Sequence, residues 1–215
     1  LYLGDGELII GEKGKDPQAS PTFPELCCHS VEDMVVMSER ELVSFHTTEE
    51  DRKLQAEEII PYWTGRSMRE KILSRMTPEW QECYSAGMFT EFMEQRGPGH
   101  TCGGEQVFTT GYMDYKEKIH KTMDELDYIN DPEAVNKCEE LKAMDISCDA
   151  VIILGERYHK LALEMAEKEE DETRKAELLQ IAANLEVVPA HKPQTFWQAI
   201  QLYWFTHLAV TTELN

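Results

Sequence analysis

At 215 residues, with 41% apolar and 29% charged residues, the chain can bury a sizeable core and reads as globular, which excludes disorder. Its formal net charge of −20 makes phosphate backbones and anionic lipid headgroups poor partners, so neither nucleic acid nor membrane is expected. The cysteines (Cys27, Cys28, Cys83, Cys102, Cys138 and Cys148) show no CxxC pairing and read as reduced thiols of a cytoplasmic protein, not as a disulfide framework.

In chain order, Leu1 to Gly11 reads as two short apolar strands around a glycine turn, followed by a Pro/Gly-rich loop from Gly14 to about Pro24. Helical signals then take over. Ser30 with Asp33, Thr48 with Asp51, and Ser67 with Glu70 place capping hydroxyls three residues ahead of acids, and Glu32 adds a second early acid after Ser30. Thr77-Pro78-Glu79 starts another helix, which should end near Gly87. From Phe89 to Gly111 the glycines and Pro98 predict a long loop of the kind that usually carries function. A long helix is predicted from Asp131-Pro132-Glu133 to about Glu169, with Cys138, Leu141, Asp145, Cys148, Ile152 and Gly155 on one stripe. Thr173 should cap the next helix, with Ala176, Leu179 and Ala183 on one face.

After Pro193 and a Thr195 cap, the segment Phe196–Val210 is apolar on every side, as in a helix at the core of a large protein. The sequence opens on Leu1 and closes on Asn215 just past that segment, so both ends are expected to be cut from a longer chain. The longest apolar stretches are too short to span a bilayer.

The run Phe92-Met93-Glu94-Gln95-Arg96-Gly97-Pro98-Gly99-His100-Thr101 is the most informative. Gly97-Pro98-Gly99 predicts a tight turn that lets backbone or ligand approach closely, and His100 is presented from it. Spacing alone leaves two roles for His100, a structural hydrogen bond to backbone or a contact to a ligand.

The string Arg96 to Thr101, followed by Gly111-Tyr112-Met113-Asp114, resembles the Arg-(Ala/Gly)-Pro-Gly-His-Thr loop of glycyl radical enzymes, the pyruvate formate-lyase superfamily. Asp5 to Ile9, Glu25 to His29, Gly87 to Arg96, Val188 to Pro193 and Thr211 to Asn215 are similar to the hydroxyproline dehydratase branch, so the resemblance runs along the whole chain. It implies a mainly α chain with short β segments. These would be outer helices and one pocket wall of an α/β barrel with ten strands, in one pyruvate formate-lyase-type domain over residues 1–215.

The resemblance also implies a radical on a glycine, installed by an S-adenosylmethionine-dependent activating enzyme. A cysteine thiyl then removes a substrate hydrogen, and water leaves with help from carboxylates. Phe92 would lie against the substrate ring and His100 would make a polar contact to it. The thiyl cysteine sits in a Gly-Cys-x-Glu loop and the radical glycine in an Arg-Val-x-Gly-Tyr-type loop, and neither string occurs here. The expected partners are a small-molecule substrate, the activating enzyme, the rest of the parent chain and other copies of it. Metal and bound cofactor are not expected.

Two departures from the hydroxyproline pattern flank the loop. Gly97 stands where alanine is expected, and Cys102-Gly103-Gly104-Glu105 stands for Val-Cys-Gly-Asp. They leave room for another substrate, of the diol dehydratase, choline lyase, arylacetate decarboxylase or formate acetyltransferase type. A different class of function, a complete non-catalytic helical scaffold, would need amphipathic helices throughout, which Phe196–Val210 does not supply. Cys27-Cys28-His29 has no second ligand pair at zinc spacing, and His100 and Cys102 stand too close together on a glycine loop for a nucleophile and its base.

Overall fold

The computed structural model describes residues 1–11, 22–42, 44–89 and 103–213, with side chains to residue 210. The chain divides into two compact units. One runs from Gly14 to Pro98 and the other joins Leu1–Lys13 to Gly99–Glu213.

The first unit is a set of short helices whose starts follow from local chemistry. Helix α1 (Val31–Glu39) and helix α2 (Glu49–Leu54) both open on reciprocal capping boxes, Ser30 with Asp33 and Thr48 with Asp51. A wider π turn, Gln55–Ile59, follows α2 and leads into α3 (Ile60–Trp63). Pro61 has no N–H to give back to the preceding turn, which accounts for the widening, and Ile60 N–H reaches Gln55 O instead. Helix α4 (Met68–Arg75) starts at Ser67, whose hydroxyl accepts from Glu70 N. Helix α5 (Pro78–Ser85) ends at Ala86, and Gly87 follows at φ 71°, where the sequence places the stop.

The second unit is built on longer helices. A 3-10 turn, Gly104–Phe108, precedes α6 (Tyr112–Asp124), α7 (Ala134–Lys168), α8 (Glu172–Leu185) and α9 (Phe196–Glu213). Helix α7 has 35 residues, about 52 Å at ~1.5 Å per residue, and both α6 and α8 pack along it. The core joins Val151, Tyr158 and Ala162 of α7 to Leu178, Ile181 and Leu185 of α8 and Phe205 of α9, closed by Leu3 and Ile10.

Several expectations change. No β-strand occurs among the described residues, and Leu1 to Gly11 is a strap rather than a strand pair. Side chains take the place of a strand partner. Gln201 accepts from Ile10 N at 2.9 Å and donates to Ile10 O at 2.8 Å, while Arg174 donates to the carbonyls of Gly4 and Glu7. Trp197 Nε1 donates to Leu8 O at 2.7 Å. These side chains take strap carbonyls and the Ile10 N–H in place of a ladder partner.

Helix α8 turns its other face inward. Leu178, Ile181, Ala182 and Leu185 are buried, Ala176, Leu179 and Ala183 are exposed, and the cap is Asp171, which accepts from Thr173 N. With Leu178 and Leu179 adjacent, the pattern offered two faces, and the partner α7 chose between them. Helix α9 carries apolar residues on both its buried and its exposed sides, with Leu202 and Phe205 buried and Phe196 81% and Tyr203 43% exposed, and it buries the polar Gln198 and Gln201 as well. Within the predicted loop from Phe89 to Gly111, residues Gly104–Phe108 are helical.

Candidate functional site

Phe92 and His100, the two residues read as substrate contacts, lie outside the described residues, as do Arg96 and Cys102. The nearest described residues before and after that run in sequence each pack within their own unit. On one side, Phe89 meets Trp80 edge-on with ring centroids 5.2 Å apart and lies 5.8 Å from Tyr84. On the other, Val107 is buried against Val188 and Leu202, and Phe108 stacks on Tyr203 at 6.5 Å.

Helix α6 begins against the turn 188–191. Its first open amides are taken by that turn, with Tyr112 N donating to Pro189 O at 3.0 Å and Met113 N to Ala190 O at 2.8 Å. Gly111 lies on the backbone of His191 so closely that a Cβ there would overlap it. Gly155 of α7 does the same for the Pro189 ring. The strings Gly111 to Asp114 and Val188 to Pro193, far apart in sequence, thus form one joint.

The Cys27-Cys28-His29 string lines a hollow of about 200 Å³ with Ile60, Ser67, Arg69 and Glu70. Segment 23–28 crosses the start of α4, and Met68 N and Arg69 N donate to the carbonyls of Glu25 and Leu26. Gln55 Nε2 holds His29 O at 2.7 Å. Burial and then the Glu70 carboxylate push the Cys28 thiol up, against a smaller opposing effect of Gln55. A thiol so held stays protonated at neutral pH and is not a ready nucleophile. No three His, Cys, Asp or Glu side chains gather as a metal set among the described residues.

A second cluster ties α6 to α7. Lys116 Nζ lies 2.8 Å from both Asp145 and Asp149, and His120 Nε2 lies 2.9 Å from Asp145. Sequence reasoning put Asp145 on one stripe of α7 with Cys138, Leu141, Cys148, Ile152 and Gly155, without naming its partner. The signal was present in the i,i+4 pairs Lys116/His120 and Asp145/Asp149, one pair on each helix. The Lys116 contact, followed by burial acting against it, leaves the Asp145 carboxyl below its ordinary value. A depressed carboxylate stabilises the fold above its unfolded pKa and loses that contribution as pH falls through the folded one. The α6–α7 contact should therefore loosen on acidification below about pH 4. Circular dichroism along an acid titration checks this, and Lys116→Met should flatten the Asp145-linked part of the loss.

Along residues 1–215 the chain matches the family model described as Pyruvate formate lyase-like. The chain belongs to that family. It is 55% identical over 215 residues to trans-4-hydroxy-L-proline dehydratase of Clostridioides difficile, covering 100% of this chain and 27% of that protein. Isethionate sulfite-lyase of Desulfovibrio desulfuricans is 30% identical over 222 residues, 97% of this chain and 26% of the relative.

Among solved structures, hydroxyproline dehydratase from Clostridioides difficile with trans-4-hydroxy-L-proline bound aligns at TM-score 0.78 and 54% identity, covering 99% of this chain and 27% of that one. A structure described for 1,2-propanediol dehydration in Roseburia inulinivorans aligns at TM-score 0.74 and 32% identity, covering 99% and 26%. The chain thus spans about a quarter of the length of the pyruvate formate lyase-like relatives it matches. Membership in this family removes the scaffold alternative. Among the described residues no helix is long and apolar enough to cross a membrane.

Proposed function

We propose that this chain is part of a cytoplasmic glycyl radical dehydratase that eliminates water from trans-4-hydroxy-L-proline, giving 1-pyrroline-5-carboxylate. The observation that carries the reading is the identity of 55% along the whole chain to a hydroxyproline dehydratase, against 30% to an isethionate lyase of the same family. In the proposed enzyme the helices described above sheathe a barrel of ten strands, and copies of the full chain associate. The radical relay, on a glycine and a cysteine whose motifs the sequence lacks, supplies removal of a substrate hydrogen atom after activation by a separate S-adenosylmethionine-dependent enzyme. The net change is loss of one water, with no external oxidant.

What this chain contributes is binding. Phe92 lies against the pyrrolidine ring and keeps water from it, and His100 makes a polar contact to the substrate. Gly97 and Cys102, which depart from the hydroxyproline pattern, are the residues that would favour a different substrate in the same site.

Binding needs no radical, so calorimetry on the unactivated full-length enzyme tests the assignment. Trans-4-hydroxy-L-proline should bind more tightly than proline, 1,2-propanediol or isethionate. Tighter binding of isethionate or the diol would move the enzyme to another branch of the family.

A further inference from the structure

Helix α9 makes much less direct contact with α7 and α8 than those two make with each other. The strap of residues 1–11, which belongs to the same unit, supplements that contact. Leu3 and Ile10 enter the core that joins Leu178 of α8 to Phe205 of α9. The strap's backbone is held from both helices, by Arg174 of α8 and by Trp197 and Gln201 of α9.

The two ends of the strap are held by different chemistry. At the first, the carbonyls of Gly4 and Glu7 both accept from Arg174, and Glu7 Oε2 accepts from Gly4 N at 2.8 Å. Arginine suits this place because its rigid fork can give N–H groups to two acceptors at once. Asp5 and Gly6 at the tip are exposed, so water stands ready to take over these bonds. At the second end, Ile10 is 0% and Gln201 2% exposed. The Gln201 amide accepts from Ile10 N and donates to Ile10 O, which only a side chain carrying both a donor and an acceptor can do. A buried peptide group that loses such a partner is left with the full cost of its lost hydration. Next to it Gly11, at φ 122°, lies so close to α9 that a Cβ would overlap Leu208.

We propose that residues 1–11 form a latch that seats α9 on α7 and α8, with Gln201 as its catch. Local opening takes the least protected hydrogen bonds first. The latch therefore opens from the Gly4–Glu7 turn and stops at Ile10 unless the Gln201 pair breaks. Because the helices hold the strap by its backbone, an exposed strap side chain such as Leu8 is free to change. None of this depends on which substrate the enzyme takes.

Hydrogen exchange on the full-length, unactivated enzyme, read amide by amide, tests this without substrate or radical. Gln201→Met, apolar and of similar length, should speed exchange at Ile10 roughly tenfold or more and release Gly4 and Glu7 with it. Arg174→Met should speed Gly4 and Glu7 alone. Gly11→Ala keeps the Gln201 amide but puts a side chain on backbone that resists one, against Leu208, and should also free Ile10. Leu8→Ala should leave the strap at parental protection. In every variant the α7 amides from Val151 to Ala162 should exchange as in the parent. Parental protection of Ile10 in Gln201→Met would overturn the catch. Release of Ile10 by Arg174→Met would overturn the order of opening and the latch with it. If strap and α7 amides lose protection together in Gln201→Met and Gly11→Ala alike, the strap opens only with the whole unit and the proposal fails.

Discussion

In the full-length enzyme, His100→Ala should lower kcat/KM for trans-4-hydroxy-L-proline by roughly 5- to 150-fold while the glycyl radical signal stays at its parental level. The magnitude follows from removing one hydrogen bond to a buried substrate, about 1–3 kcal/mol of transition-state stabilisation. Phe92→Ala should act in the same direction by another route, since loss of an aromatic wall weakens contact with the ring and admits water. Neither residue belongs to the relay, so radical yield and turnover should separate. Anaerobic kinetics paired with electron paramagnetic resonance reads both quantities on one sample. Loss of the radical in a folded variant would show that the residue serves activation instead of substrate. Parental turnover in both variants would leave His100 with the structural role that its glycine turn also allows.

The 215-residue polypeptide by itself should show no turnover and no protein radical after incubation with an activating enzyme. The reason is compositional and does not depend on its fold. The sequence holds no Gly-Cys-x-Glu string for the thiyl cysteine and no Arg-Val-x-Gly-Tyr-type loop for the radical glycine. An expected loss of the entire signal makes this a sharp comparison with the full-length enzyme. A glycyl doublet from this polypeptide would mean that the radical can reside on one of its own glycines, and the division of labour proposed here would fall.

Much of the fold was readable because its signals are local. Ser30, Thr48 and Ser67 cap helices as their hydroxyls and downstream acids imply, and Gly87 stands just past the end of α5. The length of α7 followed from its proline-led start and its spacing, although its buried seam shifts toward Val151, Tyr158, Ala162 and Ala166. What failed depended on a partner distant in sequence. A short apolar stretch such as Leu8 to Ile10 reads as a strand because sequence alone cannot show that Trp197 and Gln201 will take its backbone groups. The same contact explains α9. Gln198 and Gln201 face inward because their amides hold backbone, Gln201 at the strap, and Phe196 and Tyr203 are left on the outside of this unit.

The candidate site was legible in a different way. Composition and periodicity marked 89–111 as a loop worth attention, but the roles of Phe92 and His100 came from resemblance to a family, and the family is what the comparisons establish. The structure adds the surroundings that no local pattern contains. The sequence singled out Gly111 within a motif and Gly155 on a helix stripe, but not the His191 backbone and Pro189 ring pressed against them. Lys116 and His120 likewise gained meaning only once α6 lay beside Asp145 and Asp149.

The central claim, a radical dehydration of hydroxyproline to which this chain lends part of the pocket, is tested most directly by product analysis. The full-length enzyme is activated anaerobically, given trans-4-hydroxy-L-proline, and the mixture is resolved by mass spectrometry. The account predicts 1-pyrroline-5-carboxylate, formed only after activation and only from the hydroxylated amino acid. A strong glycyl radical signal with trans-4-hydroxy-L-proline unconsumed, and a diol or isethionate consumed in its place, would contradict it.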